Sequence, residues 1–259
     1  MKVTSRDGTP IGVFRTGSGP PLILSTGSMS DHRRWAPVLP LLEKHLTVYT
    51  YDRRGRGDSG DNTEYALERE YEDLAAIVHS VGGPVSLLGH SFGGIVALES
   101  ALLTNNLDKL VLYEPPIHMG PEAHPPGVAD RIQKLIDAGD REGAIMKFYI
   151  EIQKRTPEEL ERVKGSPLWP MFITTVHTLP REMRHVEAYR FDRRRFQDLD
   201  VSTLLLLGSK SPAPFHKATN TINDTLPNCR IRVMPDQGHA AIDTGTELFA
   251  SEIIKFLTE

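Results

Sequence analysis

Residues 89–93 read Gly-His-Ser-Phe-Gly, and they sit between two apolar runs, Val85-Ser86-Leu87-Leu88 before and Ile95-Val96-Ala97-Leu98 after. The first run has the length of a buried strand, and the second continues into a helical pattern. Joining the two at a serine demands a very tight turn, too tight for bulky neighbours. Glycine meets that demand because it has no Cβ to collide. The turn would leave the Ser91 hydroxyl standing clear at the end of a strand. The five-residue pattern alone is not decisive. At ordinary glycine and serine usage, on the order of one chain in ten of this length carries it by chance. Its surroundings decide the reading.

Those surroundings alternate. Residues 3–6 and 11–15 flank Asp7-Gly8 and predict a hairpin. Residues 22–25 predict a short buried strand ending at Thr26-Gly27. Trp35, Val38, Leu39, Leu41 and Leu42 share a helical face broken by Pro37 and Pro40. Residues 46–51 predict a strand that runs into the loop Asp52-Arg53-Arg54-Gly55-Arg56-Gly57-Asp58-Ser59. Residues 64–81 predict a long amphipathic helix, with Tyr71, Leu74, Ala75 and Val78 at helical spacing. Strand 85–88, helix 92–104 and strand 110–113 follow, then much later strands 203–207 and 230–234 with a helix between them, and a helix near 245–257. Strands alternating with helices imply an α/β fold, a mostly parallel sheet with helices on both faces.

Residues 115–198 break this rhythm. They open on a proline-rich stretch (Pro115, Pro116, Pro121, Pro125, Pro126) and then show helical patterns near 128–138, 141–155, 157–164 and 181–188, without a strand signal. The chain therefore divides into a core of 1–114 with 199–259 and a helical insert of 115–198. An all-helical insert after a strand is expected to cap a site at the C-terminal sheet edge, where ligands bind in open α/β sheets.

Composition narrows the class. The chain has 30 Lys and Arg against 34 Asp and Glu, a formal charge of −4, so neither a nucleic acid nor an anionic membrane is an expected partner. A single cysteine, Cys229, rules out an internal disulfide framework. The N-terminal residues lack the apolar region of a signal peptide, and there is no apolar run of about 18 residues. A cytoplasmic protein with a small-molecule substrate is expected.

A serine hydroxyl becomes a useful nucleophile only when a base takes its proton. That base is usually a histidine held in one tautomer by a carboxylate. His239 lies in Gln237-Gly238-His239, just after strand 230–234 and before the last helix, where a loop at the sheet's C-terminal edge can reach Ser91. His90, inside the turn, is read as structural.

With these segments in order, the chain resembles the α/β-hydrolase superfamily, over roughly residues 2–258. The resemblance rests on residues 22–27 followed by Trp35, on the 51–59 segment, on 89–94 and on Gly238-His239. It implies an eight-stranded sheet, a lid inserted after the sixth strand, and a Ser–His–acid triad. It also implies that the backbone N–H groups of Ser28 and Phe92 form an oxyanion hole. Two positions depart from the pattern. Thr26-Gly27 stands where His-Gly is common. The usual acid position after the seventh strand is Ser211, in Gly208-Ser209-Lys210-Ser211-Pro212. Other members carry the acid after the sixth strand, and here that residue is Glu114, the expected partner of His239. Asp236, Asp243 and Asp192 are weaker alternatives. If no acid serves, the chain could instead be a non-hydrolytic ligand-binding or cyclase-like member.

The expected chemistry is hydrolysis of a small carboxylic ester or related acyl group, without cofactor or metal. Carbon–carbon bond hydrolysis, lactone or thioester hydrolysis, perhydrolysis and acyl transfer remain open. A serine nucleophile argues against haloalkane dehalogenase and epoxide hydrolase chemistry. Trp169, Met171 and Phe172 are candidates for the pocket lining, with packing inside the insert as the alternative. Gly55-Arg56-Gly57-Asp58-Ser59-Gly60 is formally G-x-G-x-x-G. It lacks the immediate helix of a dinucleotide site, so its arginines are read as loop-fixing or solvated. His118, Glu122 and His124 are set aside as a metal cluster. The basic run at 193–195 is read as a solvated face.

Overall fold

The computed structural model describes residues 1–117 and 125–259. Its eight strands are β1 (Lys2–Thr4), β2 (Pro10–Gly17), β3 (Pro21–Ser25), β4 (Thr47–Tyr51), β5 (Val85–His90), β6 (Leu107–Tyr113), β7 (Ser202–Gly208) and β8 (Cys229–Met234). They form one sheet in the order β1-β2-β4-β3-β5-β6-β7-β8. β1 and β2 enter antiparallel, and every pairing from β4 across to β8 is parallel. The predicted α/β class and parallel sheet are both present.

Side chains alternate across the sheet and are apolar on both sides, as a strand covered on both faces requires. Leu87 of β5, Leu110 and Leu112 of β6 and Leu205 of β7 pack on one face. Leu88, Val111, Tyr113, Leu204 and Leu206 pack on the other. The helix α1 (Leu39–Leu42) is a single short turn with Pro40 at its start, and a 3-10 turn (His32–Trp35) precedes it. The first face lies under α2 (Leu67–Val81), which contributes Tyr71, Leu74 and Val78, and under α3 (Phe92–Ser100). The predicted helix 92–104 is split, since α3 ends at Ser100 and a 3-10 turn carries 101–103.

Among the described residues, five α-helices lie between β6 and β7: α4 (Val128–Asp137), α5 (Arg141–Glu151), α6 (Pro157–Lys164), α7 (Trp169–Thr175) and α8 (Leu179–Ala188). They bury their own cluster, which includes Ile132, Ile145, Phe148, Met171, Val176 and Met183, and Met29 from the loop after β3 joins it. A capping box starts α6: Thr156 accepts from the Glu159 N–H, and Glu159 accepts from the Thr156 N–H at 2.9 Å. α7 has no counterpart in the sequence reading, because Pro170 and the Thr174-Thr175 pair obscure its periodicity. The chain closes with α9 (Ala213–Asn223), then the short α10 (Ala241–Thr244), then α11 (Thr246–Thr258), whose Phe249 and Ile253 cover the second face beside Trp35. No described helix is long and apolar enough to cross a membrane.

Candidate active site

Ser91 sits between β5 and α3 with φ 54° and ψ −125°. Residues with a side chain rarely take this conformation. It is imposed by how closely the strand, the turn and the helix pack. A Cβ on Gly89 would meet the Gly93 carbonyl oxygen at 2.3 Å, and one on Gly93 would meet the Ser25 oxygen at 2.3 Å. The glycines of the motif are therefore demanded by contact. The Ser91 N–H donates to Tyr113 O at 2.9 Å, which ties the turn to the end of β6. The Ser91 hydroxyl has no hydrogen-bond partner among the described residues and is partly exposed.

Glu114 follows β6 directly and is fully buried, with φ 49°. Its Oε2 lies 2.6 Å from His239 Nδ1. Its Oε1 accepts the Gly208 N–H at 2.8 Å and the Ser211 hydroxyl at 2.5 Å. A nitrogen facing a carboxylate carries a proton, so Nδ1 is the N–H and Nε2 is the nitrogen free to exchange one. The other carboxylates near His239 in sequence are engaged elsewhere. Asp236 pairs with Lys210 at 2.9 Å, and Asp243 takes both arms of Arg34 at 2.8 and 2.7 Å. Asp192 is held by Arg194.

Three aromatic rings fix the His239 loop. Phe215 stacks on His239 with centroids 4.4 Å apart, and His90 lies 4.7 Å away on a tilted plane. The Tyr113 hydroxyl donates to Gly238 O and accepts from the Ala241 N–H. His90 Nε2 lies 3.1 Å from His239 O. Burial, and then the neighbouring His239, push the His90 pKa well below its ordinary value. His90 is thus neutral and donates from Nε2. Its place inside the turn reads as structural, and no local pattern announces that it braces the His239 loop.

The loop after β3 crosses the serine: a Cβ on Gly27 would lie 3.2 Å from Ser91 Cβ. The N–H groups of Ser28 and Phe92 flank this crossing and find no acceptor among the described residues. Arg53, Arg54 and Arg56 are all buried, which resolves the choice between loop-fixing and solvated roles. Arg54, for example, forks onto Asp73 at 2.8 and 2.7 Å and reaches Asp7 at 3.0 Å.

An alpha/beta hydrolase family model matches residues 22–252. The chain belongs to this family. A solved alpha/beta hydrolase from Sphaerobacter thermophilus is 34% identical and superposes with a TM-score of 0.88, covering 99% of this chain and 100% of that one. An esterase from Exiguobacterium antarcticum is 22% identical, with a TM-score of 0.79 over 100% and 99% of the two chains, a likeness of fold. A Stutzerimonas stutzeri protein named "Putative carbamate hydrolase RutD" is 25% identical over 93% of this chain and 92% of its own.

Other sequence candidates find different places in this hydrolase. Met171 and Phe172 are buried in the cluster of the inserted helices, and Trp169 packs partly buried against it. In the G-x-G-x-x-G loop, the next helix after Gly60 begins only at Leu67. A Cβ on Gly57 would strike the Asp52 carboxylate at 2.1 Å, so that glycine serves the turn. His118, Glu122 and His124 lie outside the described residues. Asp31, His32 and Asp52 bring ligand-type atoms within 4.8 Å of one another, a grouping the sequence reading missed. Those atoms already serve one another and Arg33: Asp31 takes Arg33 at 2.6 Å, and Asp52 lies 2.7 Å from His32 Nδ1.

Proposed function

We propose that this hydrolase is a serine hydrolase that cleaves a small carboxylic ester, or a related acyl substrate, through an acyl-enzyme. Ser91 Oγ attacks the carbonyl carbon while His239 Nε2 takes its proton. The Ser28 and Phe92 N–H groups receive the negative oxygen that forms. Collapse breaks the bond to the leaving alkoxide, which takes the proton from His239. Water then repeats the sequence on the acyl-enzyme, and the acid leaves. Glu114 holds His239 in its working tautomer and offsets the charge it gains. Helices α4–α8 act as a cap, with Trp169, Met171 and Phe172 shaping it from within.

The observation that carries this reading is the buried Glu114 carboxylate 2.6 Å from His239 Nδ1. It supplies an acid although Ser211 holds the usual position, and so favours a hydrolase over a non-hydrolytic binder. Turnover of a p-nitrophenyl ester and labelling by a fluorophosphonate test it. Both should be present in the wild type and lost in Ser91→Ala. A folded wild type that shows neither sinks the proposal. The full-length relative named a carbamate hydrolase favours a second substrate class. An aryl carbamate belongs in the same assay, because the same attack opens its carbonyl.

A further inference from the structure

We propose that Arg53 and Arg56 are positioning residues for the oxyanion hole, acting through the Gly27–Ser28 peptide and tying it to helix α8. The inference rests on the serine-hydrolase reading above. Gly27 C=O and Ser28 N–H belong to one peptide unit. In a trans peptide these two groups point in opposite directions, and there is no cis bond among the described residues. Whatever grips the carbonyl therefore aims the N–H. Two guanidinium groups grip it: Arg53 Nη1 donates to Gly27 O at 3.1 Å, and Arg56 Nη1 at 3.3 Å. Arg56 Nη1 also donates to Ser30 O at 2.5 Å, which fixes the far end of the same loop.

Arg53 reaches the second donor as well. Its guanidinium lies over the Phe92 ring, 4.0 Å from the centroid. One side chain thus touches the peptide unit that carries one N–H, through the Gly27 carbonyl, and the residue that carries the other. Cations on the carbonyl side also polarise the peptide and make its N–H a stronger donor.

Both arginines are fully or almost fully buried and must be neutralised. Glu70 takes two arms of Arg53, at 2.9 and 2.7 Å, and Tyr65 donates to Glu70 at 3.0 Å. Arg56 turns to the inserted helices. Its Nε donates to Thr178 Oγ1 at 3.0 Å, and its Nη2 pairs with Glu182 of α8. Glu182 also lies 3.5 Å from Arg53. A displacement of α8 would pull on Arg56, and through it on the peptide beside Ser91. The oxyanion donor is set true only while the inserted helices are seated.

Lysine tests this, because one ammonium cannot hold a carboxylate and a carbonyl in a fixed fork. Arg53→Lys and Arg56→Lys are compared with Arg54→Lys, an equally buried arginine in the same loop that does not touch Gly27. The readouts are ester kcat and KM, thermal stability, and affinity for an aryl trifluoromethyl ketone, whose serine adduct places an oxyanion in the hole. The expected result for Arg53→Lys and Arg56→Lys is a fall in kcat of about tenfold or more, KM within about twofold, and ketone affinity falling with kcat/KM. Arg54→Lys should lose stability and keep its kcat. If Arg56→Lys fails to fold, Thr178→Val removes one acceptor of the same fork and should move kcat and ketone affinity in the same direction. Folded variants with unchanged kcat and ketone affinity overturn the inference, as does an equal kcat loss in Arg54→Lys. A wild type without turnover or labelling overturns the serine-hydrolase reading and this inference with it.

Discussion

Glu114 takes three donors on two oxygens, and each has its own consequence. Glu114→Gln removes the charge that steadies His239. Ester turnover should fall by roughly 10³–10⁴ while the fold persists, measured as kcat beside a circular dichroism spectrum. Near-normal turnover in that variant, with Asp243→Asn or Asp236→Asn inactive, would move the acid elsewhere. Ser211 is not a mere gap in the pattern: its hydroxyl completes the cradle of the buried carboxylate. Ser211→Ala leaves that oxygen with the Gly208 N–H alone and should lower kcat by about tenfold, with KM little changed. Gly93 shows the cost of crowding. Gly93→Ala drives a methyl group to within 2.3 Å of the Ser25 carbonyl, and urea unfolding should register a loss of about 3 kcal/mol.

At the level of elements, the ends of β3, β5, β6, β7 and β8 each deliver one part of the site, and short loops hold the parts in place. Much of this was legible in the chain. Apolar runs marked the strands, because strands covered on both faces need little else. The glycines around Ser91 marked the turn, because contact forbids anything larger. What escaped was held by partners far away in sequence. Arg56 meets Glu182 across 126 residues, and no local pattern announces such a pair. α7 escaped because proline and threonine masked a helix that its neighbours stabilise. The Arg56–Glu182 pair makes a prediction about α8. Glu182→Gln leaves Arg56 buried without its carboxylate on the inserted helices. It should cost about 3 kcal/mol and speed limited proteolysis within 128–188 relative to the core. Unchanged cleavage would mean that the pair does not hold these helices down.

For the whole molecule, the buried neutral His90 links stability to pH. Its pKa in the fold lies well below the 6.5 of a free imidazole. Below about pH 6.5 the unfolded chain therefore binds a proton that the native state refuses. Stability falls as pH drops through that window, by up to about 1.4 kcal/mol per unit. His32, whose pKa Asp52 raises, works in the opposite sense, so the comparison must be made against a variant. Between pH 7.5 and 5.5, wild-type stability in urea should drop by about 1 kcal/mol more than that of His90→Gln. Equal slopes would show that His90 is protonated as easily in the fold as outside it. The φ of 54° at Ser91 also bears on the whole fold. Glycine would take that conformation without strain, and the gain exceeds the backbone freedom it adds to the unfolded chain. Ser91→Gly should thus be both inert and hardier, by about 1 kcal/mol. The proposed nucleophile is kept in place against the interest of its own scaffold, and losing the proposed activity would make the scaffold more durable.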